Sequence, residues 1–159
     1  MTLDPLELRA ALGQFATGVC LITLRADDGR ELALTVNSFA SVSLDPPLVL
    51  WSLQEDSEVY TTYCEATHYA INVLSADQQA LSSYYAGKDQ HEIQVGHAHP
   101  GKHGVPLING AVAVLECELE TTHTGGDHLI IVGRVQTMHN EVDNNPLVFH
   151  GGQYRQLAV

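Results

Sequence analysis

The stretch AVAVLECELETTHTGGDHLIIVGRVQTM, residues 111–138, decides the fold of this chain. Apolar and polar residues alternate over residues 111–122, which is the pattern of a β-strand with one buried face. Thr124-Gly125-Gly126-Asp127 then predicts a tight turn, and residues 128–138 form a second run rich in β-branched and apolar residues. The stretch therefore predicts two long antiparallel strands joined by a hairpin turn.

The segments on either side continue the antiparallel pattern. The turn Asp27-Asp28-Gly29 joins strand-like runs at residues 19–24 and 32–36. By the same criteria, further strands are predicted at residues 48–53 and 69–74, with two short strands inside 147–157 around Gly151-Gly152. Helical patterns at residues 55–66 and 76–86 do not alternate strictly with strands, and no GxGxxG follows a strand. We therefore predict a mainly β protein with flanking helices (α+β), built as an antiparallel barrel rather than a doubly wound sheet.

The chain opens on a helix signal. Asp4 is a suitable N-cap, Pro5 suits the first helical position, and Gly18 ends the pattern. Apolar residues recur at helical spacing at Leu8, Leu12 and Phe15. This spacing predicts a helix that buries these three side chains.

Composition excludes several classes of protein. The 159 residues include 19 acidic and seven basic ones, for a formal net charge of −12. Such a surface repels nucleic acid and anionic lipid, so neither is expected as a partner. No apolar run approaches the roughly 18 residues that span a bilayer, and no signal-peptide pattern opens the chain, so a cytoplasmic location is expected. The length suits one domain over residues 1–159.

The cysteines and histidines give no sign of a metal site. Cys20, Cys64 and Cys117 are widely spaced and form no CxxC pair, so we expect small buried apolar residues rather than disulfides or zinc ligands. Residues 87–106 form a long polar stretch that contains four histidines, His91, His97, His99 and His103. No carboxylate stands at a spacing that would support them as ligands, so we expect a solvated loop and no native metal.

Residues 35–47 are the first candidate binding segment. Hydroxyl and amide side chains crowd the residues after a predicted strand, and Asp45-Pro46-Pro47 stiffens the exit. Many donors and acceptors on a stiff loop suit the polar edge of a planar heterocycle. The alternative is an ordinary network of serine and asparagine turns. His128, after the Gly125-Gly126 turn, is a second candidate, either as a proton donor or as a structural hairpin residue.

Taken in order, segments along almost the whole chain resemble the flavin reductase family, the flavin-binding split barrels that serve as reductase components of two-component monooxygenases. The segments that carry the resemblance are residues 12–19, 35–47, 70–74, 104–107, 115–117, 125–128 and 146–149. The resemblance implies a six-stranded split barrel of Greek-key type, a homodimer and noncovalently bound FMN or FAD. It also implies NADH or NADPH as the co-substrate and a partner oxygenase that takes the reduced flavin.

The resemblance also implies roles for particular residues. His128 is expected to be catalytic, beside the ring face where the nicotinamide stacks. The expected flavin-binding residues are Thr35, Val36, Asn37, Ser38, Ser41, Val42, Ser43, Ser52, Leu53, Ser57, Tyr85 and Ala86. Ser52, Leu53 and Ser57 would line the phosphate side. Glu58 departs there from the family's basic residue, and it would either repel the phosphate or point to solvent as an acidic residue in the first turn of a helix.

Hydride transfer to a flavin is the cofactors' own chemistry, so an acid–base dyad is not required of the protein. Two other classes stay open at this point. One is a flavin- or haem-binding split barrel that carries or senses electrons without turnover, and the other is a purely structural interaction domain.

Overall fold

The computed structural model describes residues 2–158, which fold into a mainly β structure with three short helices. The helices are α1 Pro5–Leu12, α2 Tyr60–Glu65 and α3 Gln79–Tyr85, and a single 3-10 turn covers Lys102–Gly104. The strands are β1 Thr17–Gly18, β2 Cys20–Arg25, β3 Glu31–Val36, β4 Ala40–Leu44, β5 Pro47–Gln54, β6 His68–Val73, β7 Ala98–Pro100, β8 Pro106–Ile108, β9 Ala113–Gly125, β10 His128–Asn140, β11 Val148–His150 and β12 Gln153–Arg155.

Seven strands form one large antiparallel sheet in the order β3-β2-β6-β9-β10-β5-β4. The β9–β10 hairpin is its longest unit, and the opposed pair Gly125 and His128 confirms the turn predicted from the sequence. Gly126 adopts a φ of 64°, which a side chain at that turn position would strain. The small sheets β1-β11-β12 and β7-β8 complete the strand pairing. The antiparallel architecture with flanking helices is confirmed.

Six strands of the large sheet, β2, β3, β5, β6, β9 and β10, contribute side chains to one core. Along β5 the burial alternates, so that Val49, Trp51 and Leu53 point inward. The Trp51 ring packs edge-on against Tyr63 and Tyr69, each with its ring centroid 5.9 Å away. The sheet therefore curves around an aromatic centre.

A second core covers the opposite face of β2 and β3. Leu21 and Ala33 lie there against Tyr85 of α3 and Leu147, which precedes β11. This packing fixes α3 and the C-terminal β11–β12 hairpin beside the edge strand β3.

Cys20 and Cys117 are buried as expected, whereas Cys64 is only partly buried. Burial raises the pKa of the Cys20 and Cys117 thiols to about 12. Both therefore stay protonated and act as packing residues.

The predicted helices form, but they are shorter than expected. Residues 4–18, 55–66 and 76–86 give α1, α2 and α3, because each predicted range includes extended or turn residues at one or both ends. The buried stripe on α1 is wrong, since no residue of α1 is buried and the Phe15 side chain beyond it is 78% exposed. Helical spacing predicts that residues share a face and does not identify the surface that this face contacts.

The predicted polar loop after β3 contains a strand that the sequence analysis missed. Residues Ala40–Leu44 form β4, which pairs with β5 at the edge of the large sheet. The register shifts between Ser41 and Ser43, so Val42 sits in a bulge. Serine-rich sequence and the bulge together disguise the alternation that would have predicted a strand.

The two edge strands of the large sheet, β3 and β4, are consecutive in the chain and joined by residues 37–39. The hydroxyl of Ser38 in this link accepts a hydrogen bond of 2.9 Å from the Ser52 N–H and donates one of 3.3 Å to the Ser52 carbonyl. One side chain therefore ties the end of β3 to β5, near the opposite edge of the sheet.

Tyr69→Phe is expected to leave the free energy of unfolding within about 1 kcal/mol of wild type, or to raise it. The Tyr69 side chain is buried, and its hydroxyl makes no well-aligned hydrogen bond among residues 2–158. Burial raises the pKa of Tyr69, and the nearby Trp51 side-chain N–H opposes this rise only in part. Removing an unpartnered buried hydroxyl removes a desolvation cost without breaking a bond. Urea unfolding of both proteins measures the difference, and a loss above about 2 kcal/mol would mean that the hydroxyl is bonded in solution.

Candidate functional site

A cavity of about 270 Å³, lined by both polar and apolar side chains, lies where the edge strand β3 meets β5 and the start of β10. We call it the serine cavity, after Ser38, Ser52 and Ser57. Its lining residues are Leu34, Thr35, Val36, Asn37, Ser38, Ser52, Leu53, Gln54, Ser57 and His128. Eight of the thirteen predicted site residues are therefore brought together in one place, and Leu34 and Gln54 are additions that the sequence analysis missed.

A second cavity of about 220 Å³ shares Thr35, Val36 and Asn37 with the first and opens toward the C-terminal hairpin. We call it the aromatic cavity, after Phe149 and Tyr154. Its lining residues are Val19, Thr35, Val36, Asn37, Ser82, Ala86, Phe149 and Tyr154. Ala86 was predicted as a site residue, whereas Val19, Ser82, Phe149 and Tyr154 were not. Residues 146–149 carry part of the family resemblance, and this could have identified Phe149 as a candidate site residue.

The shared segment is an open strand edge. Up to Ala33, the outer edge of β3 is paired with residues 91–93: Ala33 N–H donates to the His91 carbonyl at 2.8 Å, and Ile93 N–H donates to the Glu31 carbonyl at 2.9 Å. Backbone groups alternate direction along a strand, so the N–H and C=O of Thr35 point to the same outer side. Within residues 2–158 that outer edge has no backbone partner at Thr35. A free donor and a free acceptor therefore stand side by side between the two cavities.

Four predicted site residues do not line either cavity. Ser41, Val42 and Ser43 lie on β4, and Val42 is half exposed in its bulge. Tyr85 is fully buried in the second core, where its hydroxyl lies 2.7 Å from Nδ1 of His97 and accepts from the Gln94 N–H at 3.0 Å. Tyr85 therefore holds the loop after α3 in place.

His128 stands at the first residue of β10, at the rim of the serine cavity. Its side chain is 39% exposed, and Nδ1 lies 2.7 Å from the carboxylate of Asp127. The hydrogen bond from His128, followed by its charge, lowers the pKa of Asp127. A carboxylate bonded to Nδ1 fixes the ring orientation and leaves Nε2 available to a ligand.

Glu58 does not line the serine cavity, although it follows Ser57 in sequence. Its carboxylate accepts from the Asp89 N–H at 2.6 Å and lies 2.8 Å from Nε2 of His91. These contacts lower the pKa of Glu58, first through the Asp89 N–H and then through the charge of His91. Helix α2 begins only at Tyr60, so Glu58 is a contact to the loop after α3 rather than a first-turn residue.

Neither cavity is lined by a lysine, arginine, aspartate or glutamate from the described residues 2–158. His128 is the one titratable imidazole among the lining residues of the serine cavity. Apart from His128 at the rim, a phosphate in this cavity would therefore be met by neutral hydroxyl and amide donors.

The histidines of residues 87–106 are engaged separately. His91 contacts Glu58, His97 contacts Tyr85, and His99 Nδ1 lies 2.5 Å from the Asn109 side-chain oxygen. The ring of His103 stacks on His68 with centroids 4.1 Å apart. In the part of the chain that the structure describes, no three His, Cys, Asp or Glu side chains converge as metal ligands. Nor does any described helix have the length and apolar character to cross a membrane.

Comparison with known proteins places this geometry in a family. A family model described as a flavin reductase like domain matches residues 12–158. An FMN reductase (NADH) of Agrobacterium fabrum is 45% identical, covering 96% of this chain and 86% of its own. An NADH-dependent flavin reductase of a Rhodococcus species is 40% identical, covering 98% of this chain and 88% of its own.

A solved structure agrees with these matches. The NADH:FAD oxidoreductase of Streptomyces globisporus, in complex with NAD and FAD fragments, superposes with a TM-score of 0.91 at 34% identity, covering 99% of this chain and 97% of that one. The chain therefore belongs to the flavin reductase family.

Proposed function

We propose that this protein is an NAD(P)H:flavin oxidoreductase that reduces free FMN or FAD and supplies the reduced flavin to a partner oxygenase. The observation that carries the proposal is the open edge of β3 at Thr35, flanked by two cavities, in a chain that is similar over nearly its full length to NADH-dependent flavin reductases. The relatives include a reductase subunit of a flavin-dependent monooxygenase from Rhodococcus jostii, 35% identical over 96% of this chain. That relative supports delivery of flavin to an oxygenase partner.

The residues present fit a flavin. An isoalloxazine ring has a polar edge of alternating donors and acceptors, and the free N–H and C=O of Thr35 match such an edge. Ser38 is committed to its bonds with Ser52, so the side chains of Ser52 and Ser57 remain to contact the ribityl chain and phosphate. The bound flavin supplies the hydride-accepting chemistry. The protein's part is to hold the ring, exclude water and present His128 at the rim.

The finer architecture belongs to the same proposal. We infer a split barrel of six strands, from β3 through β5 in the sheet order, with β4 extending the edge. The shared core of these six strands and the bond from Ser38 to Ser52 support it. One domain over residues 1–159 is likewise proposed, because a single family model matches residues 12–158. A cytoplasmic location is proposed because the reaction consumes NAD(P)H, which the cytoplasm supplies.

NADH oxidation tests the proposed function. Purified protein is expected to oxidise NADH or NADPH only when FMN or FAD is added, with the oxidised nucleotide and reduced flavin formed in equal amounts under anaerobic conditions. Flavin binding without nucleotide oxidation would instead favour an electron carrier or sensor. Protein that binds no flavin would favour an interaction domain.

The protein is expected to be a homodimer. Apolar side chains stand exposed on the single chain, among them Phe15 at 78% and Leu44 at 96%, and a second copy related by a two-fold axis is the commonest cover for such a surface. The cavities, at about 270 and 220 Å³, also fall below the roughly 300–1,000 Å³ of common ligand sites, so a second copy would deepen them. Light scattering should give twice the chain mass of 17.3 kDa. A mass of one chain at micromolar concentration would contradict the homodimer.

Riboflavin and FMN are expected to be reduced with kcat/KM values within about 150-fold of each other. The reason is that neutral donors rather than cations would meet the phosphate, and a hydrogen bond from a neutral donor to a charged group contributes about 1.5–3 kcal/mol. For the same reason, raising the salt concentration should change the two rates alike.

Ser57→Arg is the matched test of this expectation, because it places a cation at the serine cavity. It should favour FMN over riboflavin, and the gain should shrink in high salt. A wild-type preference for FMN that falls steeply as the salt concentration rises would mean that a cation reaches the phosphate.

A further inference from the structure

Residues 91–93 pair with the outer edge of β3 as far as Ala33, and the pairing stops there, just before Thr35. We propose that Glu58 and His91 hold Asp89 away from Thr35 and thereby keep this strand edge open for the flavin. Both are positioning residues, since neither lines the serine cavity or the aromatic cavity. The inference rests on the proposed function and adds to it what controls access to the Thr35 edge.

The register of the pairing places Asp89 opposite Thr35. Leu32 and Glu92 form an antiparallel bridge, so the residue three positions further along β3 stands opposite the residue three positions back along the loop. One more pair of backbone hydrogen bonds, between Thr35 and Asp89, would continue the ladder. That pair would occupy the free N–H and C=O that the proposed function assigns to the flavin.

Two side chains take the backbone groups that a longer ladder would use. The Asp89 N–H, which would donate to the Thr35 carbonyl, donates instead to the Glu58 carboxylate at 2.6 Å. The Ala33 carbonyl, which the His91 N–H would meet in a continued ladder, lies 3.1 Å from Nδ1 of the His91 ring. Nε2 of the same ring lies 2.8 Å from the Glu58 carboxylate. Both ring nitrogens of His91 therefore face acceptors, and the imidazole is held at both ends.

The backbone turns away from β3 at the same place. Asp89 has a φ of 59°, in the left-handed region that a strand residue does not adopt and that aspartate tolerates better than most residues. The His91 side chain is only 11% exposed, so water competes little for its two contacts. Glu58 is anchored from the other side, because the adjacent Val59 is buried in the main core. Asp89 can therefore reach Thr35 only if both the turn and the contact to Glu58 are lost.

Riboflavin is the probe, because it carries the flavin ring without a phosphate. Glu58→Ala is expected to weaken riboflavin binding by roughly 5- to 150-fold in a fluorescence titration, since two backbone bonds at Thr35 must break before the edge is free. The kcat at saturating flavin should stay within about twofold of wild type, because the flavin-bound state itself is unchanged.

Two variants serve as controls for Glu58→Ala. Glu58→Gln keeps an oxygen that accepts from the Asp89 N–H, so it should bind riboflavin within about threefold of wild type. Asp56→Ala removes another exposed carboxylate of the same segment and should leave riboflavin binding unchanged.

Amide hydrogen exchange in the flavin-free protein tests the mechanism without a ligand. In Glu58→Ala, exchange of the Thr35 N–H should slow by at least about tenfold relative to wild type, because the Asp89 carbonyl becomes its acceptor. Asp89→Val disfavours the left-handed turn, so it should slow Thr35 exchange and weaken riboflavin in the same way. Asp89→Gly keeps the turn and should leave both quantities at their wild-type values.

The inference is overturned if either the Thr35 exchange or the riboflavin affinity of Glu58→Ala matches that of wild type. Tighter binding of FMN alone by Glu58→Ala would also overturn it, because Glu58 would then act on the phosphate through its charge. Failure of wild type to bind or reduce any flavin would overturn the proposed function. The Thr35 exchange of the flavin-free protein would still decide the role of Glu58 in that case.

Discussion

Asn72→Ala is expected to lower the free energy of unfolding by about 2–6 kcal/mol. Asn72 is fully buried, and its side-chain N–H groups donate to the Leu21 carbonyl and the Thr23 hydroxyl, each at 2.9 Å. Its carbonyl accepts from the Ile108 N–H, also at 2.9 Å. Truncation removes the bonds to the Leu21 carbonyl and the Ile108 N–H, and each such loss costs about 1–3 kcal/mol. The Thr23 hydroxyl keeps its own bond to the Pro106 carbonyl at 2.6 Å. Urea unfolding followed by Trp51 fluorescence measures the change.

Asn109→Ala is the matched control for this prediction. Asn109 also donates to a backbone carbonyl, that of Gly96, but it is exposed, so water replaces the lost bond. Asn109→Ala should lower the free energy of unfolding by less than about 1 kcal/mol. If Asn72→Ala and Asn109→Ala lower the free energy of unfolding equally, burial is not the reason that the Asn72 hydrogen bonds matter for stability.

His128→Ala is expected to lower kcat/KM for NADH-dependent flavin reduction by about 5- to 150-fold, with little change in melting temperature. The side chain is 39% exposed and its contact is to the adjacent Asp127, so folding depends little on it. As a positioned donor at the rim of the serine cavity, it should instead contribute about 1–3 kcal/mol to the bound state in which hydride moves. Steady-state NADH oxidation and thermal unfolding of the same preparations separate the two effects.

His139→Ala provides the comparison for His128. His139 lies near the far end of the same strand and is likewise exposed and paired with a carboxylate, that of Glu141. Its removal should leave the kinetics unchanged. Equal kinetics for wild type and His128→Ala would make His128 a hairpin residue only.

The strands were predictable because their local pattern and their tertiary role agree. The β9–β10 hairpin has both alternation and a glycine turn, and it forms as expected. The wrong or missed predictions concern elements whose local sequence pattern does not match their tertiary environment. Helix α1 has an apolar stripe that a single chain leaves exposed, and β4 pairs through its backbone without apolar alternation. Neither fact is encoded within a window of a few residues.

The serine cavity was largely predictable because most of its residues lie in two short segments, 35–38 and 52–57. The aromatic cavity was not, because Phe149 and Tyr154 reach Thr35 only through the packing of the last hairpin on α3. Tyr85 and Ala86 show the limit of reading neighbours together. The Tyr85 ring is buried in the core, whereas Ala86 lines the aromatic cavity. The two differ because side chains of adjacent helical residues point about 100° apart.

The three-residue link between β3 and β4 connects the two edge strands of the large sheet directly. Four peptide steps from Val36 to Ala40 can stretch to about 14 Å at most, at roughly 3.3–3.6 Å per step. Beside this link, the separation between the edges of β3 and β4 therefore has an upper limit. The two strands cannot move further apart there unless one of them loses its backbone pairing.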